Sequence, residues 1–268
     1  MNKAVSNSGR WADLAPRVIS GALMAALGVT AIHLGGIWFH GLIAIVIGIM
    51  IWELSQMLSP KISYLSVLYG IFGGALVLAA PTIPLKVLSL LTCLFAVFGM
   101  LNFANNRALF AIFVIALLTA GIGLVGFRAD HGGTWLFWLV LVVIVTDIAG
   151  YFAGRIFGGP KFWPKVSPKK TWSGTIAGWV GALGVGALFL SFTRAGWDLL
   201  WISVLLAFAS QLGDIAESAL KRKVGVKDSS SLIPGHGGMF DRFDGVLGAV
   251  LFMLLVAIFV DVPGISIR

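Results

Sequence analysis

The stretch T-W-L-F-W-L-V-L-V-V-I-V-T-D-I-A-G-Y-F-A-G-R-I-F, residues 134–157, decides the fold. It runs without a charge from Thr134 to Thr146 and meets Asp147. Tyr151 and Arg155 follow four and eight residues further on, on the same helical face. About twenty apolar residues cross a bilayer as a helix, so the stretch reads as a membrane span with an acid near one end. Outward from it, further apolar runs fall at about 18–36, 37–58, 64–82, 84–103, 108–128, 175–193, 199–221 and 243–260. Together they predict an all-α, polytopic integral membrane protein with about nine transmembrane helices. Composition agrees: 59% of the 268 residues are apolar and 11% charged, with mean hydropathy +0.98, whereas a soluble domain carries about 25% charged residues. Short connections leave little chain for a water-soluble unit, so residues 1–268 are read as one membrane domain.

A net charge of +8 and a pI near 9.9 would suggest nucleic acid in a soluble protein. In a membrane protein the positive-inside rule accounts for the excess, and no nucleic-acid partner is expected. The first seventeen residues are polar, with Lys3, Arg10 and Arg17 against Asp13. No convincing small-residue cleavage site follows, so the first span is read as uncleaved. With the N-terminus in the cytoplasm, that side holds Lys3, Arg10, Arg17, Lys61, Arg107, Arg155, Lys161, Lys165, Lys169, Lys170, Lys221, Arg222, Lys223, Lys227 and Arg242. The far side holds Lys86, Arg128, Arg194 and Arg268, and a split of fifteen to four sets the orientation. The two connections of any size, 158–174 and 222–242, then face the cytoplasm. The inner (plasma) membrane of a bacterium is the expected location. The single cysteine, Cys93, excludes an internal disulfide framework, and no transporter-like internal repeat is visible.

Acids inside or at the edge of a membrane are unfavourable and mark function by default. Asp147, Asp214 and Glu217 qualify, with Glu53 the weaker case. For Asp147 the plainer alternative is an interfacial Asp–Arg pair that anchors the helix, and the G-x-x-x-G step at Gly150 and Gly154 reads as helix packing. In the eighth span Gln211, Asp214, Glu217, Ser218, Lys221 and Arg222 recur as one polar stripe, the pattern of a wet site. A solvated helix end explains Lys221 to Lys223, but not Asp214, which follows the apolar run 199–212.

The loop G-G-P-K-F-W-P-K-V-S-P-K-K-T-W-S-G (158–174) places Ser167, Lys169, Lys170 and Thr171 just ahead of a helix read as opening at Thr175. Free amides, helix dipole and ammonium groups would converge there on a phosphate; an ordinary positive-inside loop is the open alternative. The second loop, K-R-K-V-G-V-K-D-S-S-S-L-I-P-G-H-G-G-M-F-D-R-F-D-G (221–245), combines cations, glycines and paired acids. Gly235, Gly237 and Gly238 allow close backbone approach, and His236 can donate to phosphate or shuttle a proton. Asp241 and Asp244 share a helix face and, with Asp214, could hold a hard divalent cation. Carboxylates with a cationic rim suit a Mg-nucleotide.

No G-x-x-x-x-G-K-[ST] sequence, kinase signature or D-G-x-x-A-R run is present. His33, His40 and His131 fall in or near far-side segments, so a zinc site is not expected. The pattern S-x-L-K-R-x-x-x-x-K-D-x-x-S-x-x-P-G-H-G-G-x-x-D-R-x-D, from Ser218 to Asp244, closely resembles the C-terminal signature of the phosphatidate cytidylyltransferase (CDP-diacylglycerol synthase) family. Q-L-G-D-I-A-E (211–217), S-P-K-K-T-W-x-G (167–174) and D-x-x-x-Y-F-x-G-R-x-F-G (147–158) resemble it in the same order, so residues 147–245 carry the motifs. Trp52–Glu53 fits more loosely, and Ser173 departs from the acid or glutamine that many members carry before that glycine.

The resemblance implies transfer of CMP from CTP to phosphatidic acid, giving CDP-diacylglycerol and pyrophosphate with Mg²⁺, in phospholipid biosynthesis. It implies Asp214 and Asp241 as metal ligands, with Asp244 touching the ion or holding a group that does. A second cation is left open. Lys169, Lys170, Lys221, Arg222 and Lys227 would hold phosphates, and Asp228 and His236 would shape the loop. Ser167, Thr171, Asp147 and Arg242 complete the substrate-binding candidates. The expected partners are CTP, phosphatidic acid and the lipid bilayer, with a homodimer as candidate assembly. The closest alternative is a CTP-dependent lipid-alcohol kinase of the dolichol or phytol type, and a more distant one is a transporter.

Overall fold

The computed structural model describes residues 14–60, 63–103 and 105–261. Nine α-helices stand there: α1 (Leu14–Leu34), α2 (Gly36–Leu58), α3 (Ser63–Ala79), α4 (Leu85–Asn102), α5 (Arg107–His131), α6 (Thr134–Ile156), α7 (Trp172–Phe192), α8 (Asp198–Val224) and α9 (Phe240–Phe259). A 3-10 turn, Ala80–Thr82, extends α3, and an antiparallel pair, β1 (Lys161–Trp163) and β2 (Ser167–Thr171), joins α6 to α7. Eight helices are long and apolar enough to cross a membrane, α3 being counted with its extension; the apolar part of α1, Val18–Leu34, is shorter. The chain is an all-α polytopic membrane protein. Lys3, Arg10, Asp13, Lys61 and Arg268 lie outside the described residues.

Large apolar side chains such as Phe72, Phe98, Ile112, Ile148 and Phe152 face outward, as a lipid-facing surface requires. The interior is built from Met50, Leu54, Phe110, Leu117, Leu136, Leu139, Leu206 and Phe240. In lipid, small residues allow the close helix approach that dispersion needs. A Cβ on Gly48 would lie 2.8 Å from the carbonyl of Gly70, where α2 meets α3. The predicted Gly150–Gly154 step does pack: it faces Gly174 and Thr171 at the start of α7. Gly213 and Gly248 likewise bring α8 against α9.

The helix starts nearest the motifs differ from the hydropathy boundaries. The seventh helix opens at Trp172, before Thr175, because the Thr171 hydroxyl accepts from Gly174 N at 3.2 Å and caps it. The ninth opens at Phe240, before the apolar run begins. At one end of the bundle Arg128 donates to the Ile32 carbonyl from Nε and Nη2, at 3.0 and 2.9 Å, closing α1. At the opposite end the C-termini of α2, α6 and α8 meet the N-termini of α7 and α9.

Candidate active site

The connection 158–174 is folded as a hairpin. Trp163, Pro164, Lys165 and Val166 make its turn, with Val166 N donating to Trp163 O at 3.2 Å; proline in second place suits such a turn. Lys161 pairs with Thr171 and Trp163 with Ser167. Trp172 N donates to Pro160 O at 3.0 Å, and Ser173 Oγ to Gly158 O at 2.5 Å, which ties the segment leading into the hairpin to the first turn of α7. Alternation along β2 turns Lys169 outward and Lys170 inward. Lys170 Nζ lies 2.5 Å from Asp214 Oδ2 and donates to Gln211 O at 3.3 Å. Buried Gln211 is itself held by Trp179 Nε1, which donates to Oε1 at 3.1 Å, and donates from Nε2 to Thr175 O at 3.4 Å. The two sequence clusters therefore meet at Lys170 and Asp214.

Three carboxylates, Asp147 on α6, Asp214 on α8 and Asp244 on α9, stand within electrostatic range of one another, and the charges of Lys170 and Arg242 act on Asp147 as that of Lys221 acts on Asp244. Asp214 Oδ1 accepts from Ser218 Oγ at 3.2 Å, and Asp244 Oδ1 from Gly245 N at 2.7 Å. Asp241 is oriented differently. Its Oδ2 accepts from Ser229 N, Ser229 Oγ and Gly238 N, each at 2.8 Å, while its Oδ1 lies 2.6 Å from Lys221 Nζ. Lys221 also lies 2.5 Å from Oε2 of the buried Glu217, so its ammonium is shared between two acids and is not aimed at open water.

The loop between α8 and α9 is a built structure. Gly225, at φ +79°, ends α8 in the left-handed conformation that favours glycine. Ile233, Pro234, Gly235 and His236 form a tight turn with Gly235 at φ +75°, closed by His236 N donating to Ile233 O at 2.9 Å. His236 Nδ1 lies 2.7 Å from Ser20 Oγ on α1, and its carbonyl accepts from Arg242 Nε at 3.0 Å. Glu53, on α2 and fully buried, accepts from Ser230 Oγ at 2.6 Å and Met239 N at 2.8 Å on Oε1, and from Phe240 N at 2.7 Å on Oε2.

The profile of the Cytidylyltransferase family matches residues 15–260. The chain belongs to this family. A phosphatidate cytidylyltransferase of Brucella suis biovar 1 is 37% identical over 264 residues, covering 94% of this chain and 97% of its own. One from Staphylococcus saprophyticus subsp. saprophyticus is 38% identical over 149 residues, 54% of this chain and 57% of its own. One from Haemophilus influenzae is 42% identical over 137 residues, 48% of each chain.

In this cytidylyltransferase the bundle end gathers Asp147, Lys170, Asp214, Lys221, Asp241, Arg242 and Asp244. Thr171 serves as a helix cap, and His236 is packed into the loop through Ser20 and Arg242. Lys169, Arg222, Lys227 and Asp228 are exposed, without a hydrogen bond or ion pair among the described residues. Ser167 opens β2 at the hairpin turn. Among the described residues no three His, Cys, Asp or Glu side chains form a ready metal cage. The donor set nevertheless suits Mg²⁺, which keeps several waters and takes only one or two carboxylates besides substrate phosphates. Asp214 is partly exposed, and among the described residues Asp241 Oδ1 has Lys221 as its one ion-pair partner and Asp244 Oδ2 accepts no hydrogen bond. The residue that sequence undervalued is Glu53. The available signal was an acid buried in an apolar run next to Trp52.

Proposed function

We propose that the chain transfers CMP from CTP to phosphatidic acid, giving CDP-diacylglycerol and pyrophosphate for phospholipid biosynthesis, at the cytoplasmic end of the bundle. The observation that carries this reading is the Lys170–Asp214 ion pair at 2.5 Å. It joins the cationic hairpin to the acidic helix ends, so groups suited to phosphate and groups suited to a divalent cation occupy one place in a chain of the cytidylyltransferase family.

Lys170 is the first contact for an incoming phosphate, exchanging Asp214 for a phosphoryl oxygen and freeing the Asp214 carboxylate. Lys169, Arg222 and Lys227 supply cations not engaged elsewhere among the described residues for the triphosphate or the lipid headgroup. Lys221, clamped by Glu217 and Asp241, keeps the Asp241 carboxylate in place. Phosphatidate approaches sideways from lipid along the apolar outer faces of α6 and α7, where Ile148, Phe152 and Ile176 are exposed. Its phosphomonoester is already anionic at neutral pH, so no side chain needs to act as general base for in-line attack on the α-phosphorus. Mg²⁺, held by Asp214, Asp241 and Asp244, would offset the charge of the facing phosphates and of the departing pyrophosphate.

The test is purified protein with phosphatidate, Mg²⁺ and CTP labelled at the α-phosphorus. Label entering the lipid as CDP-diacylglycerol is the expected result. Lipid labelled only from γ-labelled CTP would replace it with a kinase reaction.

A further inference from the structure

Glu53 lies on α2, 176 to 187 residues before every partner it has in the α8–α9 connection. It is 0% exposed and forms no ion pair among the described residues. A buried carboxylate without a cation is strongly unfavourable unless hydrogen bonds compensate it. Here the compensation comes from Ser230 Oγ, Met239 N and Phe240 N at 2.6 to 2.8 Å, together with the positive end of the α9 dipole. The start of α9 needs this outside acceptor, since its N-cap is Met239, which has no side-chain oxygen to cap the first turn. Ser229 Oγ lies 2.8 Å from Asp241 Oδ2 and 3.3 Å from Glu53 Oε2, and its single proton places one hydroxyl between two carboxylates. Gly238 passes through the same gap, where a Cβ would strike Glu53 and Ser229.

We propose that Glu53 is a positioning residue for the transfer reaction: it docks residues 229–240 onto α2 and thereby sets where Asp241, Lys221 and Asp244 stand. The carboxylate is compensated only while the loop is docked, so the docked arrangement is the low-energy one. Glu53→Gln keeps the shape but turns an NH₂ group toward backbone N–H donors. This inference rests on the active site being the one proposed above.

The experiment uses the whole chain in detergent, in a Cys93→Ser background with Ile233→Cys as reporter, at a position that is buried while the loop is docked. It compares that parent with the same protein carrying Glu53→Gln or the milder Ser230→Ala. Maleimide alkylation of the reporter reads loop docking independently of turnover, and kcat, both KM values and the Mg²⁺ requirement read the reaction. Displacing catalytic groups by about 1 Å costs on the order of 100-fold in rate, so Glu53→Gln is expected to lower kcat by about that much per folded molecule. Its alkylation should rise about tenfold or more, as expected when hydrogen bonds to a charged group are lost. Ser230→Ala should move both readouts in the same direction by a smaller factor, which also covers the case of Glu53→Gln failing to fold. Wild-type kcat per folded molecule with slow alkylation would overturn the proposal, as would lost kcat with alkylation unchanged. Fast alkylation with wild-type kcat would instead overturn the placement of the active site at this loop.

Discussion

Asp214 and Asp241 are both carboxylates at helix ends, yet their surroundings predict different responses to the same substitution. The Lys170–Asp214 pair has side chains 24% and 36% exposed, a setting in which an ion pair contributes less than about 1 kcal/mol. Asp214→Asn should therefore leave the thermal midpoint in detergent nearly unchanged while lowering kcat on the order of 100-fold or more, if its oxygen holds Mg²⁺ beside the substrate. The Asp241 side chain is 5% exposed and accepts three hydrogen bonds plus Lys221. Asp241→Asn turns an amide toward those donors and leaves Lys221 with Glu217 alone, and breaking one member of such a buried network costs about 3–5 kcal/mol. Both activity and thermal midpoint should fall. Equal thermal midpoints for the two variants would show that Asp241 does not anchor the loop. Legibility divides along the same line. Asp214 stood out because it directly follows an apolar run, whereas the partners of Glu53 and Lys221 depend on which helix ends meet, which hydropathy does not encode.

At the scale of elements, all nine apolar runs correspond to helices, because the cost of exposed backbone in lipid leaves a long apolar segment no other conformation. What escaped is whatever depends on local or distant capping. The hairpin 161–171 is rich in lysine and proline, both poor strand formers, and is held by side-chain and backbone contacts to the first turn of α7. The start of α9 was hidden because its cap is supplied by α2. The cap of α7, by contrast, comes from its own chain, and it yields a prediction. Thr171→Ala removes the acceptor for Gly174 N and the contact with Ser173 Oγ at 3.0 Å, a loss of about 1 kcal/mol for a helix cap. The Lys170 backbone is then less firmly placed, so KM for CTP should rise several-fold, while Thr171→Ser, which keeps the oxygen, should retain most of the activity. If Thr171→Ser is as impaired as Thr171→Ala, the hydroxyl is not what matters at this position.

For the whole molecule, the decisive asymmetry is electrostatic. The helices alternate in direction, so the described residues at the site end include Arg107, Arg155, Lys161, Lys165, Lys169, Lys170, Lys221, Arg222, Lys223, Lys227 and Arg242, against Lys86, Arg128 and Arg194 at the other. One of those three, Arg128, is engaged with the Ile32 carbonyl. Moving a positive charge outward against the membrane potential costs about 2.3 kcal/mol per 100 mV, and short basic loops are retained on the cytoplasmic side. A site end facing the cytoplasm also meets CTP where it is made, since a triphosphate has no passage through the hydrocarbon that α2 to α9 are long and apolar enough to cross. The expectation is tested in a Cys93→Ser background with single cysteines at Lys165, in the hairpin turn, and at Arg194, between α7 and α8. A membrane-impermeant maleimide added to intact cells should label Arg194→Cys and spare Lys165→Cys until the membrane is permeabilised. The reverse pattern would place the acidic site outside, and the cationic loops would then need an explanation other than orientation.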